Sequence, residues 1–495
     1  MLTPQLVIPL HRELVVDLFA GAGGASTGIE QAIGRYVDIA INHDPEAVAL
    51  HQANHPQTQH YVSDVFEVDP AAVCDGRPIG LLWASPDCKH FSKAKGGKPV
   101  SKKIRGLAWV VIKWAKLPEN LRPRVILLEN VEEFQHWGPL DTNDMPCAKR
   151  KGRTFKRWRT TLENLGYAVD FEESRACDFG APTIRKRLFL VARCDGQPIV
   201  FPPPTHGAPG GMLVRAKKLK PWRTAAECID WDAPCPSIFT RDRPLAEATC
   251  RRIAKGVMRY VVESPDPFIV PLRALSLIAP SLMAIDNKGA RTATWRANEP
   301  LRTTTTENRH ALVTAFLAQH NTERNGHNPG RAATVPLSTI TGRGTQQQLV
   351  TSNLIKLRGT SKGAQSMREP LHTVSAQGLH HAEVRAFLIK YYGTDQDPQL
   401  REPLHTVTTK HRFGLVMVHG EPYAIVDIGM RMLSPPELYR AQGFPVGFKH
   451  THRADGVPLT KTAQVRMVGN SVSPMQACAY VMANYSEAPA LRRAA

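Results

Sequence analysis

Residues 14–24 read Leu14-Val15-Val16-Asp17-Leu18-Phe19-Ala20-Gly21-Ala22-Gly23-Gly24. The first six are apolar apart from one aspartate, which predicts a buried strand, and the glycines predict a turn into a helix through residue 33. Glycines let the backbone approach a nucleotide-like ligand at the start of a helix, so this stretch predicts an α/β domain with a ligand at the turn. The dinucleotide-binding pattern is incomplete, because Ser26 stands where its third glycine would be.

Three further apolar runs end in polar residues. Asn42 follows residues 37–41, Asp64 follows residues 61–63, and Glu129 follows residues 124–128. The carboxyl ends of parallel strands meet at the edge where α/β proteins bind ligands, so we expect these three side chains there. Asp64, like Asp44, could equally cap a helix. A carboxylate such as Glu129 is costly at that edge unless it has a task or a partner.

A single cysteine follows another apolar run, residues 79–83. Cys88 lies in the loop of residues 84–92, which Pro86 stiffens and which is followed by several lysines. Neighbouring positive charge favours the thiolate, which is the nucleophilic form of cysteine. Most isolated cysteines are buried small hydrophobes. A basic, proline-bearing loop at a strand end favours a nucleophile instead.

Two alternate arginines, Arg185 and Arg187, stand in the loop that leads into the apolar run 188–192. In an extended backbone alternate side chains point the same way, so the two form a pair suited to phosphate or base contacts. The ordinary alternative is a solvated basic edge.

The charge balance indicates a polyanionic partner. The 495 residues include 63 Lys and Arg against 44 Asp and Glu, a net charge of +19. Between Lys89 and Arg159 there are 18 basic and 6 acidic residues, so 18 − 6 = +12 falls in one block. Nucleic acid is the economical explanation, because neutralised phosphates supply most non-specific affinity.

The nine cysteines contain no C-x-x-C pair, so neither a disulfide framework nor a zinc site is indicated, and no metal is expected. The first 14 residues lack a long apolar core, and no apolar run approaches the length that spans a bilayer. We therefore expect a soluble, cytoplasmic protein without membrane contact.

The composition shifts after residues 201–204, Phe-Pro-Pro-Pro, and the alternation of strands and helices is lost. An imperfect repeat follows, with the steps Pro300-Leu301-Arg302-Thr303, Pro336-Leu337-Ser338-Thr339, Pro370-Leu371-His372-Thr373 and Pro403-Leu404-His405-Thr406. Its prolines are 36, 34 and 33 residues apart. Each unit, within residues 300–416, predicts paired short strands stacked on their neighbours, a natural reading surface for a long partner. We expect domains at 1–202 and 203–425, and closing motifs at 426–495.

The closing motifs include a helix that starts at Ser434-Pro435-Pro436-Glu437 and runs to Gln442-Gly443-Phe444-Pro445, and then Gly469-Asn470-Ser471-Val472 before a last helix. Taken in order, all these stretches resemble the motif set of the DNA cytosine-5 methyltransferases, over roughly residues 14–200 and 426–485. The resemblance implies a Rossmann-like S-adenosylmethionine-dependent methyltransferase domain. It also implies that residues 203–425 are a target-recognition domain, which the repeats predict to be mainly β.

The resemblance also implies roles for single residues. Cys88 would be the nucleophile, Glu129 the acid, and Arg185 and Arg187 the support of a flipped base. Phe19 would lie against the adenine of S-adenosylmethionine and Asp64 near its amino group. The expected cofactor site as a whole comprises Asp17, Phe19, Gly21, Gly23, Gly24, Asn42, Asp64, Pro86, Asn470 and Ser471.

The chain departs from the family pattern at three places. The usual Pro-Pro-Cys-Gln is Pro86-Asp87-Cys88-Lys89, which puts an acid beside the thiol and a lysine that offsets it. Thr183 stands where a glutamine is expected before the arginines, and Asn42 stands where a ribose-binding glutamate is expected. Asn42 can still hydrogen-bond a ribose hydroxyl, but without charge.

The activity expected is methylation of cytosine carbon 5 in duplex DNA by a protein that acts as a monomer, with a cognate restriction endonuclease as a partner that makes no stable contact. Methylation of structured RNA and a catalytically inactive DNA-binding role are the alternatives. The long repeated region favours DNA over RNA, and the presence of both Cys88 and Glu129 argues against an inactive protein. Ser26 argues against a nicotinamide dehydrogenase.

Overall fold

The computed structural model describes residues 12–87, 91, 105–270, 281–284, 294–296, 310–313, 348–356, 364–374, 381–390, 415–418 and 421–487. The chain divides into two compact units. The first comprises Met1–Asp230, Leu354–Ala382 and Met432–Ala495, and the second comprises Trp231–Asn353 and Glu383–Arg431. The first unit therefore extends past residue 202, where the change in composition placed a boundary, and it also includes part of the predicted repeat region.

Hydrogen bonds explain why residues 203–230 stay with the first unit. The Thr205 amide donates to the Asp178 carbonyl at 2.9 Å, and the Trp222 indole donates to the Asp178 carboxylate at 2.9 Å. The Asp230 amide donates to Glu437 at 2.8 Å. A loss of strand–helix alternation thus marks the end of the sheet and not the end of the compact unit.

The first unit is built on a seven-stranded sheet in the order β3-β2-β1-β4-β5-β7-β6. Its strands are β1 (Leu14–Leu18), β2 (Ile39–Asn42), β3 (Gln59–Val62), β4 (Ile79–Ala84), β5 (Val125–Asn130), β6 (Ala168–Arg175) and β7 (Lys186–Arg193). Strands β1 to β5 are parallel, and β7 runs antiparallel to β5 and β6. The predicted α/β domain is confirmed. The chain adds strands outward from β1 on one side and from β4 on the other, and this reversal of strand order makes a crevice at the carboxyl ends of β1 and β4.

The helices of the first unit that precede the second unit are α1 (Gly24–Ile33), α2 (Pro45–Asn54), α3 (Pro70–Cys74), α4 (Trp109–Ala115), α5 (Arg153–Asn164) and α6 (Met212–Arg215). Helix α7 (Glu247–Val257) belongs to the second unit. The remaining helices of the first unit are α8 (Pro435–Ala441), α9 (Lys461–Asn470) and α10 (Pro474–Asn484). Short 3₁₀ turns lie at Glu132–His136, Ala148–Arg150, Ala176–Phe179 and Ala225–Cys228. No helix in the described parts of the chain is long and apolar enough to cross a membrane.

Both faces are buried in the central strands β1, β2, β4 and β5, whose sequences are mainly apolar, while the edge strands β3 and β6 are partly exposed. Leu14, Val16 and Leu18 belong to one apolar cluster, while Val15 belongs to another that includes the C-terminal Tyr480. Tyr480 stacks on Phe189 of β7 with ring centroids 4.1 Å apart. Helices α1 and α10 meet so closely at Gly28 that any Cβ there would overlap the backbone of Pro474.

Further short strands lie after β7. They are β8 (His206–Gly207), β9 (Lys220–Pro221), β10 (Ser281–Ala284), β11 (Thr294–Arg296), β12 (His310–Val313), β13 (Gln348–Lys356), β14 (Ala364–Gln365), β15 (His381–Lys390), β16 (Leu415–Val418) and β17 (Glu421–Met432). In the second unit β10 pairs antiparallel with β11 and β12, and β13, β15, β17 and β16 follow one another in a sheet.

The repeat interpretation is only partly within the described residues. The Leu-Val steps at 312, 349 and 415 lie on β12, β13 and β16. The steps at Pro300, Pro336 and Pro403 lie outside the described residues. The step at Pro370 belongs to the first unit. A stacked, DNA-reading repeat therefore stays a prediction.

Candidate active site

The predicted glycine turn joins β1 to α1 at the crevice. Phe19, Gly21 and Gly23 have φ angles of +62°, +54° and +98°, the left-handed region that favours glycine. A Cβ on Gly23 would overlap His55, and one on Gly24 would overlap Ser471. At Gly21 only the Phe19 carbonyl, 3.8 Å away, approaches the same position among the described residues. The turn is packed by protein at its helix end and opens into space at Gly21.

Asp17 lies on the strand that feeds this turn and is completely buried. Its Oδ2 accepts a 2.7 Å hydrogen bond from Ser26 Oγ, while Oδ1 has no hydrogen-bond partner among the described residues. Burial raises the pKa of this carboxyl from 3.8 to about 7, and the Ser26 hydrogen bond opposes that shift only in part. Asp17 therefore belongs to the interior beneath the turn.

A histidine network that the sequence did not indicate continues from Ser26. Ser26 Oγ lies 3.0 Å from His51 Nε2, and His51 Nδ1 lies 2.8 Å from His60 Nε2. Burial lowers the pKa of His51 well below 6.5, and burial with the nearby His55 lowers the pKa of His60 to about 4. Both rings are neutral at pH 7, so the network is a chain of neutral donors and acceptors.

The ends of β2 and β3 carry the predicted Asn42 and Asp64. Asn42 is buried, and its Oδ1 accepts a 2.8 Å hydrogen bond from the Asp44 amide. Asp44 caps helix α2, as the capping alternative predicted, and also pairs with Arg466 of α9. Asp64 Oδ1 accepts a 3.1 Å hydrogen bond from the Phe66 amide. Both predicted residues lie at the crevice edge, and each has a structural contact as well.

Cys88 lies outside the described residues, but the backbone that leads to it is described as far as residue 87. The Asn130 side chain donates a 3.1 Å hydrogen bond to the Pro86 carbonyl, and the Ser85 amide donates to the Leu18 carbonyl at 3.3 Å. These bonds bring the start of the cysteine loop to the ends of β1 and β5. Asn130, next to Glu129, therefore holds the two predicted motifs together.

Glu129 and the two arginines form one buried cluster. The Glu129 side chain is 8% exposed, and its Oε1 lies 3.0 Å from Arg187 Nε and 3.9 Å from Arg185 Nη2. Oε1 has no hydrogen-bond partner among the described residues, so these contacts are ion pairs without hydrogen-bond geometry. Because β7 is antiparallel to β5, its first residues lie beside the last residues of β5. The arginines are thus not a solvated basic edge.

Arg185 is the more buried of the two arginines, at 2% exposure. Its Nη1 donates to the carbonyls of Gly469 at 3.2 Å and Val374 at 3.5 Å. Thr183, where the family has glutamine, is buried, and its hydroxyl accepts from the Arg185 amide at 3.4 Å. The carbonyl partners of Arg185 were not predicted, because they are backbone atoms far away in the sequence.

The last predicted motif ends helix α9. Asn470 is exposed at the end of that helix. Ser471 is buried against Gly24 of the turn, and its hydroxyl donates to the Val472 carbonyl at 3.0 Å. The structure thus brings Ser471 and the glycine turn together from opposite ends of the chain.

Residues 14–210 match the model of the C-5 cytosine-specific DNA methylases. The chain is 26% identical over 230 residues to the type II methyltransferase M.AquIA of Picosynechococcus, covering 43% of this chain and 87% of that one. It is 30% identical to M.AgeI of Thalassovita gelatinovora (46% and 52% covered) and 32% identical to M.NgoBI of Neisseria gonorrhoeae (39% and 54% covered). It thus spans most of the first relative's length and about half of the other two. Residues 14–210 are therefore the part of the chain that is similar to the C-5 cytosine-specific DNA methylases.

Proposed function

We propose that this protein is a DNA (cytosine-5-)-methyltransferase that transfers the methyl group of S-adenosylmethionine to carbon 5 of a cytosine flipped out of duplex DNA. The observation that carries the proposal is the buried cluster of Glu129, Arg185 and Arg187 at the crevice edge, tied through Asn130 to the backbone that leads into Cys88. An acid held between two cations, next to the loop of the nucleophile, can balance the negative charge that develops on the cytosine ring when the nucleophile adds to it.

The residues around the glycine turn fit S-adenosylmethionine. The turn is open at Gly21, where a side chain would occupy ligand space, and it is closed at Gly24 by Ser471. Phe19 would hold the adenine, Asn42 a ribose hydroxyl and Asp64 the adenine amino group, with Asp17, Gly23, Pro86 and Asn470 completing the expected site. When bound, the cofactor supplies an electrophilic methyl group.

The chain's own residues would make the base reactive. Carbon 5 of cytosine is a poor nucleophile, so the Cys88 thiolate adds to carbon 6 and the ring becomes enamine-like. Glu129 gives a proton to nitrogen 3 as negative charge develops on the ring. After carbon 5 has taken the methyl group, water acting as a base takes the carbon 5 proton, the bond from sulfur to carbon 6 breaks to restore the thiolate, and nitrogen 3 returns its proton to Glu129.

Arg185 and Arg187 would keep Glu129 in place and support the flipped base. Extrusion of a base costs a few kcal/mol, which contacts to the DNA backbone must offset. Exposed cations near the crevice suit those contacts, among them Lys149, Arg150, Lys151, Arg153, Lys156 and Arg157. The amides of Gly152 and Phe155 donate to the carbonyls of His136 and Trp137, in the turn that follows β5. The basic stretch therefore begins at the crevice edge of the sheet.

Several parts of the proposal concern residues beyond 1–202. Residues 203–425, including the repeats of 300–416, would select the target site in duplex DNA. The protein would act as a monomer, in a restriction–modification system whose endonuclease makes no stable contact with it. Closing motifs within 426–495 would complete the cofactor site.

Covalent trapping tests the proposed function. DNA with 5-fluorocytosine at the target should form a covalent complex in the presence of S-adenosylmethionine, because fluorine cannot leave as a proton does. Cys88→Ser should abolish both the complex and turnover but still bind DNA, since phosphate contacts supply most of the affinity. Bisulfite sequencing of DNA from expressing cells identifies the site.

The alternatives give other outcomes. Trapping on structured RNA alone would make the protein an RNA methyltransferase. Binding of DNA with neither trapping nor methylation would make it an inactive relative. Wild-type turnover by Cys88→Ser would place the nucleophile elsewhere.

A further inference from the structure

One segment of the predicted repeat region lies in the first unit, which holds the candidate active site and is called the catalytic unit below. This inserted segment, residues 364–374, is reached from β13 and leads on to β15, and it belongs to the first unit. Leu371 forms a parallel bridge with Thr183 in the arginine loop. The Leu371 amide donates to the Pro182 carbonyl and the Ile184 amide donates to the Leu371 carbonyl, each at 2.8 Å. The segment thus pairs with the loop that carries Arg185 in the way that a short neighbouring strand would.

The same segment contacts the Arg185 side chain. The Arg185 guanidinium donates to the Val374 carbonyl at 3.5 Å and to the Gly469 carbonyl at 3.2 Å, while its other nitrogen lies 3.9 Å from Glu129. Leu371 and Val374 are buried, at 1% and 2% exposure. The backbone and the guanidinium of Arg185 are therefore both fixed in part by the inserted segment.

Gln365 fixes the shape of the inserted segment. Its side chain is 4% exposed, its Nε2 donates to the Pro370 carbonyl, and its Oε1 accepts from the His372 amide at 3.2 Å. The two bonds bracket Leu371, the residue that pairs with the arginine loop. The buried amide group of Gln365 thus donates to a carbonyl on one side of Leu371 and accepts from an amide on the other side. Together the two bonds restrict the backbone of Leu371 strongly.

The base of the inserted segment is tied to the catalytic unit as well. The Ala225 amide donates to the Glu369 carbonyl at 2.7 Å, and the Ala226 amide donates to the Met367 carbonyl at 2.9 Å. Met367 is fully buried. The segment is thus held at both ends of its turn, which makes it a rigid support for the loop opposite.

We propose that Gln365 is a positioning residue for transfer, which acts through Leu371 on the arginine loop and so sets the place of Arg185 beside Glu129. The inference rests on the proposed function for its effect on turnover. It gives the Pro370-Leu371-His372-Thr373 step a task in catalysis instead of in reading DNA. Gln365 touches neither Arg185 nor Glu129 in any described contact, so its effect is indirect.

The test compares Gln365→Met, which removes both hydrogen bonds at similar length, with Ser366→Ala. Among the described residues Ser366 Oγ accepts only the Arg368 amide in the same turn, at 3.1 Å, so its loss is the matched control. We expect amide hydrogen exchange at Leu371 and Ile184 to speed up in Gln365→Met and to stay unchanged in Ser366→Ala. Exchange needs no activity, so it reports on the positioning contact by itself.

Steady-state methylation kinetics supply the second measurement. In Gln365→Met we expect kcat to fall by about tenfold, because displacing a catalytic group by about 1 Å can cost up to 10²-fold. KM for DNA and the Kd of S-adenosylmethionine should change less than about twofold, since the binding surfaces are intact. Gln365→Glu keeps the acceptor for His372 but places a second oxygen against the Pro370 carbonyl in a buried site, so its kcat should fall at least as far as that of Gln365→Met.

Unchanged exchange at both amides, or equal kcat in Gln365→Met and Ser366→Ala, would overturn the positioning role. A wild-type protein that fails to methylate DNA would refute the proposed function instead, and hydrogen exchange alone would then decide whether Gln365 positions the loop.

Discussion

Asp17 on β1 and Glu129 on β5 are buried carboxylates on parallel strands of one sheet, yet their surroundings differ in charge. Asp17 faces the Ser26 hydroxyl, which in turn contacts His51. Glu129 faces two guanidiniums, the nearer at 3.0 Å. Neutral donors offset only part of the cost of burying a charge, so the pKa of Asp17 rises to about 7. Of these two carboxylates, the one with cationic neighbours is the one where we place the chemistry.

The difference shows that burial at the same sheet is not enough to identify a catalytic acid. Each carboxylate has one oxygen that makes no hydrogen bond among the described residues, so the two differ in position: Asp17 is fully buried beneath the turn, and Glu129 lies at the edge of the crevice. An acid that lies at a ligand crevice between two cations is a candidate for catalysis. An acid surrounded by neutral groups is a candidate for a structural role.

The largest expected effect is a difference in the rate of methyl transfer between variants of the two carboxylates. Glu129→Gln should lower the rate of methyl transfer by about 10²–10⁴-fold, the usual result of removing a general acid. Asp17→Asn is the matched change, and at saturating S-adenosylmethionine it should keep the rate within about tenfold of wild type, because Asp17 belongs to the expected cofactor site and lies away from the base. Single-turnover methylation of a short duplex measures both. Equal losses in the two variants would break the comparison.

The second effect concerns stability and pH. Folded Asp17 holds its proton up to about pH 7, whereas its ordinary pKa is 3.8, so this group makes folding less favourable as pH rises from about 4 to about 7. The asparagine side chain of the Asp17→Asn variant cannot titrate. Asp17→Asn should therefore gain about 2 kcal/mol of unfolding free energy relative to wild type on going from pH 5 to pH 7. Urea unfolding at the two pH values measures the change.

A pH dependence identical in the two proteins would show that Asp17 is ionised in the folded state. The contrast with Glu129 would then rest on geometry alone.

The smallest effect comes from the histidine network. The pKa of His60 falls to about 4 in the folded protein, so the unfolded chain takes up a proton first and stability is lost as pH falls from about 6.5 to about 4. His60→Gln should remove about 1 kcal/mol of that loss between pH 7 and pH 5, a figure reduced for the partial exposure of the ring. Urea midpoints at both pH values test it, with wild type as control. A full loss in His60→Gln would assign the acid sensitivity to other groups.

Much of the catalytic unit could be predicted from local sequence. Strands β1, β4 and β5 are apolar apart from Asp17 and the Glu129-Asn130 end of β5, because both of their faces are buried, and their carboxyl ends could be assigned to one edge. That reasoning placed Glu129 and the glycine turn in the same crevice. The family resemblance added the roles, which the fold alone does not assign.

Other features depend on contacts that no local pattern contains. His51 on α2 and His60 on β3 meet only when the helix packs on the sheet. The carbonyl partners of Arg185 lie 189 and 284 residues away, and any residue type could have supplied them. The composition shift at residues 201–204 could mark where the sheet ends, but it could not show that the chain returns to the unit at Leu354–Ala382.

The contact of α10 with α1 has a consequence for biosynthesis. Val15 and Trp83 belong to a core cluster that residues from the end of the chain complete, including Tyr480 and Val481. A ribosome therefore delivers the whole parallel sheet long before it delivers the helix that covers this face. Until then the nascent chain exposes an apolar surface of the kind that chaperones bind. A protein truncated before α10 would keep this apolar face uncovered and would therefore be prone to aggregation.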